Sequence, residues 1–429
     1  MNTKLWPGFI DILKADIVPA LGCTEPVVAA LAGAMARERF QGKIDNIIIS
    51  VSPNLMKNAM GVMVPGTGMV GLPIATAVGI IAGDVDAKLE VLNKITADDV
   101  IEAKKMLKSG IISTQVASVT QPLYAKVTLS NSEHNISVTI SGTHTHLSRI
   151  EEDGITTYLD ENISAKKKTK NCFFNQATFQ DIYDFAVFSP IENMAFIYQA
   201  YQLNNALSQE GLKHSYGLQI GMTYQRNVEK GLLANDVMLQ IMSRTAAASD
   251  ARMGGAMKPA VSNSGSGNQG IAATMPVVVV AEHLKVERET LIRALVLSHL
   301  MAIYIKKDQH KLSALCGATT ASMGATAGIT WLLGGDAEKI SYAISSMIGD
   351  VAGVICDGAK ASCAMKVSSS ATAAFKAALL ALEGIRVTGN EGIVCDSVED
   401  SIQNLTALAN GSMTQIDTQI LDLMVKKVS

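Results

Sequence analysis

Cysteines are the residues of this chain best placed to do chemistry. They stand at 23, 172, 316, 356, 363 and 395. Cys356 and Cys363 flank DGAKAS in a C-x6-C spacing, and Cys316 lies well upstream in LSALCGA. Three thiolates could hold zinc or three irons of a cubane cluster, yet the spacing matches neither the zinc nor the ferredoxin patterns. Buried thiols acting as small hydrophobic fillers are the alternative, and spacing leaves both open. Cys23, in ALGCTEP, stands just before an Ala-rich run with Thr24 as a candidate N-cap. A helix N-terminus favours a thiolate and lowers its pKa, which would make Cys23 a nucleophile, base or ligand; a buried small residue is the other reading, and the commoner one on spacing alone. Cys172 and Cys395 have no companions and read as inert.

A second candidate is PAVSNSGSGNQGI, residues 259–271. Ser264, Gly265, Ser266 and Gly267 open onto an Ala/Val-rich helix, with Asn268 and Gln269 at its start. Backbone N–H groups in such a turn, added to the helix dipole, cradle a carboxylate or phosphate. A plain inter-helix loop is the other reading. Neither the dinucleotide fingerprint nor the P-loop pattern is present. His144 and His146, in GTHTH, point to one face if the preceding strand persists, where they could serve as acid–base groups or a partial metal site. Surface strand residues are the commoner explanation. The other histidines, His299 among them, receive no role. No G-x-S-x-G or H-E-x-x-H occurs.

The elements that must position these residues read as follows. Residues 7–16 form a short helix, VVAALAGAMARERF a second one beginning near Thr24 or Pro26, and IATAVGIIAG a third after a glycine-rich turn. NIIISVS, residues 46–52, is a strand. YAKVTLS and HNISVTIS alternate apolar and polar residues around an Asn131-Ser132-Glu133 hairpin link, and Asp153-Gly154 marks the next turn. Residues 160–175, with the run AKKKTKN, form a solvated linker. Beyond about 178 the spacing is helical throughout, and GATAG at 324–328 predicts close helix packing. No fixed-period repeat appears. The fold class is α+β: an N-terminal mixed α/β region followed by an all-helical catalytic domain. The expected division is 1–40 as helices packing on the catalytic domain, 41–175 as a smaller α/β domain and 176–429 as the all-α domain.

Composition narrows the function classes. The 429 residues are 48% hydrophobic and carry a formal net charge of −3, which excludes a disordered chain and leaves no basic footprint for nucleic acid. A mean hydropathy of +0.23 raises the question of a membrane. Gly68–Gly83 and Ile271–Ala281 are too short to span and contain Pro73 and Pro276; Cys316–Gly335 is long enough but carries five threonines and serines. No membrane partner is expected. Charges at Lys4, Asp11, Lys14 and Asp16 argue against a secretory signal, so the cytoplasm is the expected compartment.

Taken together, DIVPALGCTEP, SNSGSGNQGI, LSALCGA and ICDGAKASCAMK resemble the L-cysteine desulfidase family, related to the α-chain of the iron–sulfur L-serine dehydratases. Four separated motifs in the same order, over nearly the whole chain, carry the resemblance. It implies a [4Fe–4S] cluster held by Cys316, Cys356 and Cys363, with the fourth iron open to substrate. It places the family's N-terminal cysteine, a base or an extra cluster ligand, on Cys23. The loop Ser264–Gln269 is similar to the family's substrate-carboxylate region. GTHTH resembles a G-x-H-T-x segment of the dehydratases, which puts His144 among the substrate-binding residues; the last position there is more often Asn than the His146 found here.

The implied reaction is β-elimination of L-cysteine to hydrogen sulfide, ammonia and pyruvate without pyridoxal phosphate. An open iron would act as a Lewis acid on the leaving heteroatom while a nearby base removes the Cα proton. L-Serine dehydration is the first alternative. A non-catalytic metal-binding or sensing module and a small-solute membrane protein are the others. The expected partner is a small amino acid, and a homo-oligomer is left open.

Overall fold

The structure, a computed structural model, describes residues 1–160, 173–310 and 312–427. Most of the expected linker, its lysine run and Cys172 lie outside the described residues.

The first 160 residues build a sheet covered by helices. A short strand β1 (Pro19–Ala20) precedes β2 (Asn46–Val51), β3 (Ile112–Val116), β4 (Tyr124–Ser130), β5 (Asn135–Ser141), β6 (Leu147–Glu152) and β7 (Ile155–Leu159). The last six form one sheet in the order β3-β2-β4-β5-β6-β7, parallel only between β2 and β3. Alternation explains β4: Ala125, Val127 and Leu129 are fully buried, with half-exposed neighbours between them. The β4–β5 hairpin closes where expected, Asn131 Oδ1 accepting the N–H groups of Glu133 and His134 at 2.9 and 2.8 Å.

Five α-helices fall in this stretch: α1 (Trp6–Asp16), α2 (Thr24–Arg39), α3 (Pro53–Ala59), α4 (Leu72–Ala82) and α5 (Ala97–Lys108). The apolar residues of α2 and α4 share one core with Ile47, Ile49, Val127 and Val138 of the sheet. Phe9 and Leu13 of α1 belong instead to the core of the C-terminal helices.

The C-terminal helices are α6 (Phe179–Phe188), α7 (Tyr198–Lys213), α8 (Ile220–Glu229), α9 (Val237–Met253), α10 (Gly267–Leu284), α11 (Arg288–Lys306), α12 (Gly317–Leu332), α13 (Ala337–Val351), α14 (Cys363–Leu382), α15 (Val398–Asn410) and α16 (Met413–Lys426), and all but α8 contribute residues to that second core. The apolar stretches that raised the hydropathy are buried helices α4, α10 and α12, and no helix of the described residues is long and apolar enough to cross a membrane. Small residues let these helices touch. A Cβ on Gly324 of α12 would stand 2.4 Å from Ser298 O of α11. Some of the hydroxyls buried by that closeness find backbone or side-chain partners, as Thr326 Oγ1 does on Ala374 O at 2.7 Å and Thr319 on Ser370 at 2.9 Å, whereas Ser322 Oγ and Thr245 Oγ1 have none among the described residues.

One short element departs from the all-helical reading. The strand β8 (Ala260–Val261) pairs antiparallel with β1, Pro19 opposite Val261 and Ala20 opposite Ala260. Two residues have no periodicity to read. Their pairing joins the two halves just ahead of the segments singled out above, Cys23 after β1 and Ser264 after β8.

Candidate active site

Four helix starts meet at one cavity of ≈ 90 Å³. Cys23 is the N-cap of α2, Ser266 of α10 and Cys316 of α12, while Cys363 is the first residue of α14. All four line the cavity, together with Ser264, Gly265, Asn268, Gln269, His144 and Cys356. Gly267 adjoins it through the guanidinium of Arg252, described below. Converging N-termini bring the positive ends of four helix dipoles around one space, a setting for anions, although the first N–H groups of α14 are already taken by the Lys360, Ala361 and Ser362 carbonyls.

A single antiparallel bridge, Leu315 to Ile355, sets Cys316 beside Cys356 despite their separation in sequence. Cys316 N–H donates to Val354 O at 3.0 Å, and Cys356 N–H to Ala314 O at 2.6 Å. The loop then turns through Gly358 (φ +94°) into α14, and Cys363 Sγ lies 3.7 Å from Gly358 O. Two ammonium groups grip this loop. The buried Lys57 Nζ of α3 donates to Cys356 O at 3.0 Å and to Asp417 Oδ1 of α16 at 2.5 Å. Lys366 Nζ donates to Ile355 O at 2.7 Å and Asp357 Oδ1 at 2.5 Å. Burial raises the Cys356 thiol, opposed by Lys57 and reinforced by Cys316. Burial and the neighbouring Cys356 push Cys363 up to about 11.

No three His, Cys, Asp or Glu side chains among the described residues are drawn together as the ligands of one metal ion. Thiolates that each bind a different iron of a cluster stand farther apart than the ligands of one ion. Three cysteines spaced around one cavity suit that larger group.

The loop before α10 is a two-residue hairpin. Asn263 and Ser266 exchange backbone hydrogen bonds at 3.1 and 3.0 Å, and Ser264 and Gly265 between them both have positive φ, 51° and 84°. Beneath it sits His299. Asn263 Nδ2 approaches His299 Nδ1 at 3.1 Å, and Thr274 Oγ1, which donates to Gly270 O, lies 2.9 Å from Nε2. These contacts assign the proton to Nε2 and make the histidine a support of the loop. Burial pushes its pKa down from 6.5 to about 3. A depressed folded-state pKa means that the stability His299 contributes is present above pH 6.5 and lost as pH falls toward 3. Urea unfolding of the wild type over that window should show an acid loss of up to about 1.4 kcal/mol per pH unit that His299→Gln lacks. An unchanged slope in the variant would assign the loss elsewhere.

The two histidines of GTHTH part company because β5 ends at Ser141. His144, buried, reaches the cavity, where a Cβ on Gly265 would stand 3.0 Å from its ring. His146 pairs with Asp160 Oδ2 at 3.0 Å and Ser141 O at 3.2 Å. Cys395 lies outside the cavity, its sulfur 3.2 Å from Asn404 Nδ2.

Cys23 differs from expectation in its acidity. It takes the N-cap position anticipated for Thr24, but its thiol is raised well above the ordinary 9.0, by burial first and by the Glu25 carboxylate second, with Arg252 opposing. Sγ donates to Glu25 Oε2 at 2.8 Å. The thiol is therefore the resting form, with a proton acceptor in contact. Glu25 is buried too, and also accepts from Thr24 Oγ1 and Asn58 Nδ2.

Glu25, Lys57 and Arg252 were not singled out from the sequence. Each fits a routine place on a helix, Glu25 in a first turn, Lys57 and Arg252 in last turns, where such charges complement the dipole. Arg252 lines the cavity at 2% exposure, with Nη1 3.4 Å from Met253 Sδ and no partner on Nε or Nη2.

Residues 86–422 match the family described as serine dehydratase alpha chain. The chain is 63% identical to a UPF0597 protein of Photobacterium profundum over 428 residues, covering 100% of each. It is 57% identical to a UPF0597 protein of Shewanella pealeana, again over 100% of each. It is 53% identical to one of Yersinia enterocolitica, over 99% of this chain and 98% of the relative. The matched residues take in His144, the 264–269 loop and the three cysteines of the helical half, while Cys23 lies upstream of them. The chain belongs to the serine dehydratase alpha-chain family.

Proposed function

We propose that this protein is a cytoplasmic, pyridoxal-phosphate-independent lyase that eliminates sulfide from L-cysteine, using a [4Fe–4S] cluster held by Cys316, Cys356 and Cys363. The observation that carries the reading is the gathering of these three thiols with Cys23 around one cavity, in a chain of a dehydratase family. When bound, such a cluster supplies a Lewis-acidic iron for the leaving heteroatom.

The chain's own residues account for the rest. The helix starts and the Ser264–Gln269 turn receive the negative end of the amino acid. Cys23 is the base for the Cα proton. Its own proton passes to Glu25 across the 2.8 Å contact, and the thiolate so formed removes the Cα hydrogen as the Cβ–S bond breaks. Low exposure of the surrounding residues, 3% at Cys23 and 6% at Cys316, keeps water from competing for these groups. The aminoacrylate that leaves hydrolyses to pyruvate and ammonia.

L-Serine dehydration is the second reading, favoured by the description of the matched family. Both eliminations use the same base and the same anion cradle and differ in the leaving atom. Anaerobic reconstitution followed by iron and sulfide analysis, with sulfide and pyruvate release measured on each amino acid, decides between them. A larger kcat/KM for L-cysteine is the expected result. Preference for L-serine would make the protein a serine dehydratase, and bound metal without pyruvate from either would make it a non-catalytic metal module.

A further inference from the structure

Arg252 is a buried cation with half of its fork unanswered. Its Nε and Nη2 reach no acceptor. Desolvated guanidinium N–H groups without partners are costly, and they persist where a ligand is meant to meet them. Nε–H and Nη2–H lie side by side on one edge of the guanidinium plane. That edge takes both oxygens of a carboxylate in two parallel hydrogen bonds. The side chain faces the cavity that Cys23, Ser264, Asn268 and Cys316 also line. Gly267 leaves room for it, since a Cβ there would stand 2.3 Å from Arg252 Nε.

We infer that Arg252 is the carboxylate anchor of this cavity: its Nε–Nη2 edge grips the α-carboxylate of the amino-acid substrate. The inference rests on the reading above for the class of ligand. Two parallel bonds fix the carboxylate plane as well as its position. With that end held, the Cα hydrogen and the β-substituent are the parts left to face Cys23 and the three cysteines. A lysine at this position would hold the charge without fixing the rotation. The ligands selected are therefore free carboxylates bearing a β-heteroatom.

The test uses the full-length, anaerobically reconstituted protein and three thiols. L-Cysteine has carboxylate and amine, 3-mercaptopropionate lacks the amine, and cysteamine lacks the carboxylate. Calorimetry on the wild type for the two analogues, with KM standing for L-cysteine where it is turned over, should show cysteamine binding on the order of 100-fold more weakly than the two carboxylates, the size expected for a desolvated charge pair. Arg252→Gln should bring both carboxylates down to the cysteamine level and leave cysteamine unchanged, with Arg252→Lys in between. Gly267→Ala keeps the arginine but crowds its Nε, and should weaken the carboxylates selectively. This provides a check if the buried charge cannot be removed without unfolding. Wild-type cysteamine affinity equal to that of L-cysteine, or an equal loss for all three ligands in a variant with native circular dichroism, overturns the anchor. Carboxylate-selective binding by a wild type that releases neither sulfide nor pyruvate leaves the anchor standing and removes the lyase.

Discussion

Serine in place of Cys316, Cys356 or Cys363 is expected to strip the broad visible absorbance from anaerobically reconstituted protein. The same change should lower sulfide release from L-cysteine by at least about 1,000-fold, since the chemistry of a bound metal site is lost with its ligands. The three replacements should act alike although the residues are held differently: Cys316 as an N-cap, Cys356 by its place beside the Leu315–Ile355 bridge, Cys363 by the first turn of α14. Serine keeps the size and the hydrogen-bonding capacity of each position, so the fold has little reason to change. It does not supply the thiolate that the proposed cluster would need. Cys395→Ser, outside the cavity, is the control and should keep both absorbance and turnover. Absorbance retained in all three cavity variants would defeat the ligand assignment.

Legibility in the sequence followed periodicity. The strand Tyr124–Ser130 coincides with YAKVTLS, and the helix Trp6–Asp16 begins one residue before the expected start, because alternation and helical spacing are repeated over enough residues to be read. The cysteines and the Ser264–Gln269 turn were visible by residue type. Their meeting place was not. It depends on two pairings too short to carry a pattern, β1 with β8 and Leu315 with Ile355. The charged residues of the site were hidden for another reason. A glutamate in a first turn and an arginine in a last turn already have a satisfactory explanation in the helix dipole, so their types raise no question until burial is known. The acidity of Cys23 was misread for a related cause. Helix position alone argues for a thiolate, but burial and a contacting carboxylate outweigh it.

That reversal shapes the second large effect. Cys23→Ala should leave the visible absorbance intact and lower kcat by roughly 1,000-fold, within the range of a lost general base, with little change in KM. A parallel fall in absorbance would instead make Cys23 a cluster ligand, and full activity would end its role altogether. Glu25→Gln separates the base from its proton acceptor. The amide preserves the shape of the carboxylate and can still accept from Cys23 Sγ and Thr24 Oγ1, yet it cannot hold the thiol proton. If Cys23 works as a base only after passing its proton to Glu25, the amide should lower kcat by an amount approaching that of Cys23→Ala. The double variant should then be no slower than the slower single, because residues acting as one unit fail together. Independent, multiplying losses would show that the carboxylate serves the site by some other means than receiving the proton of Cys23.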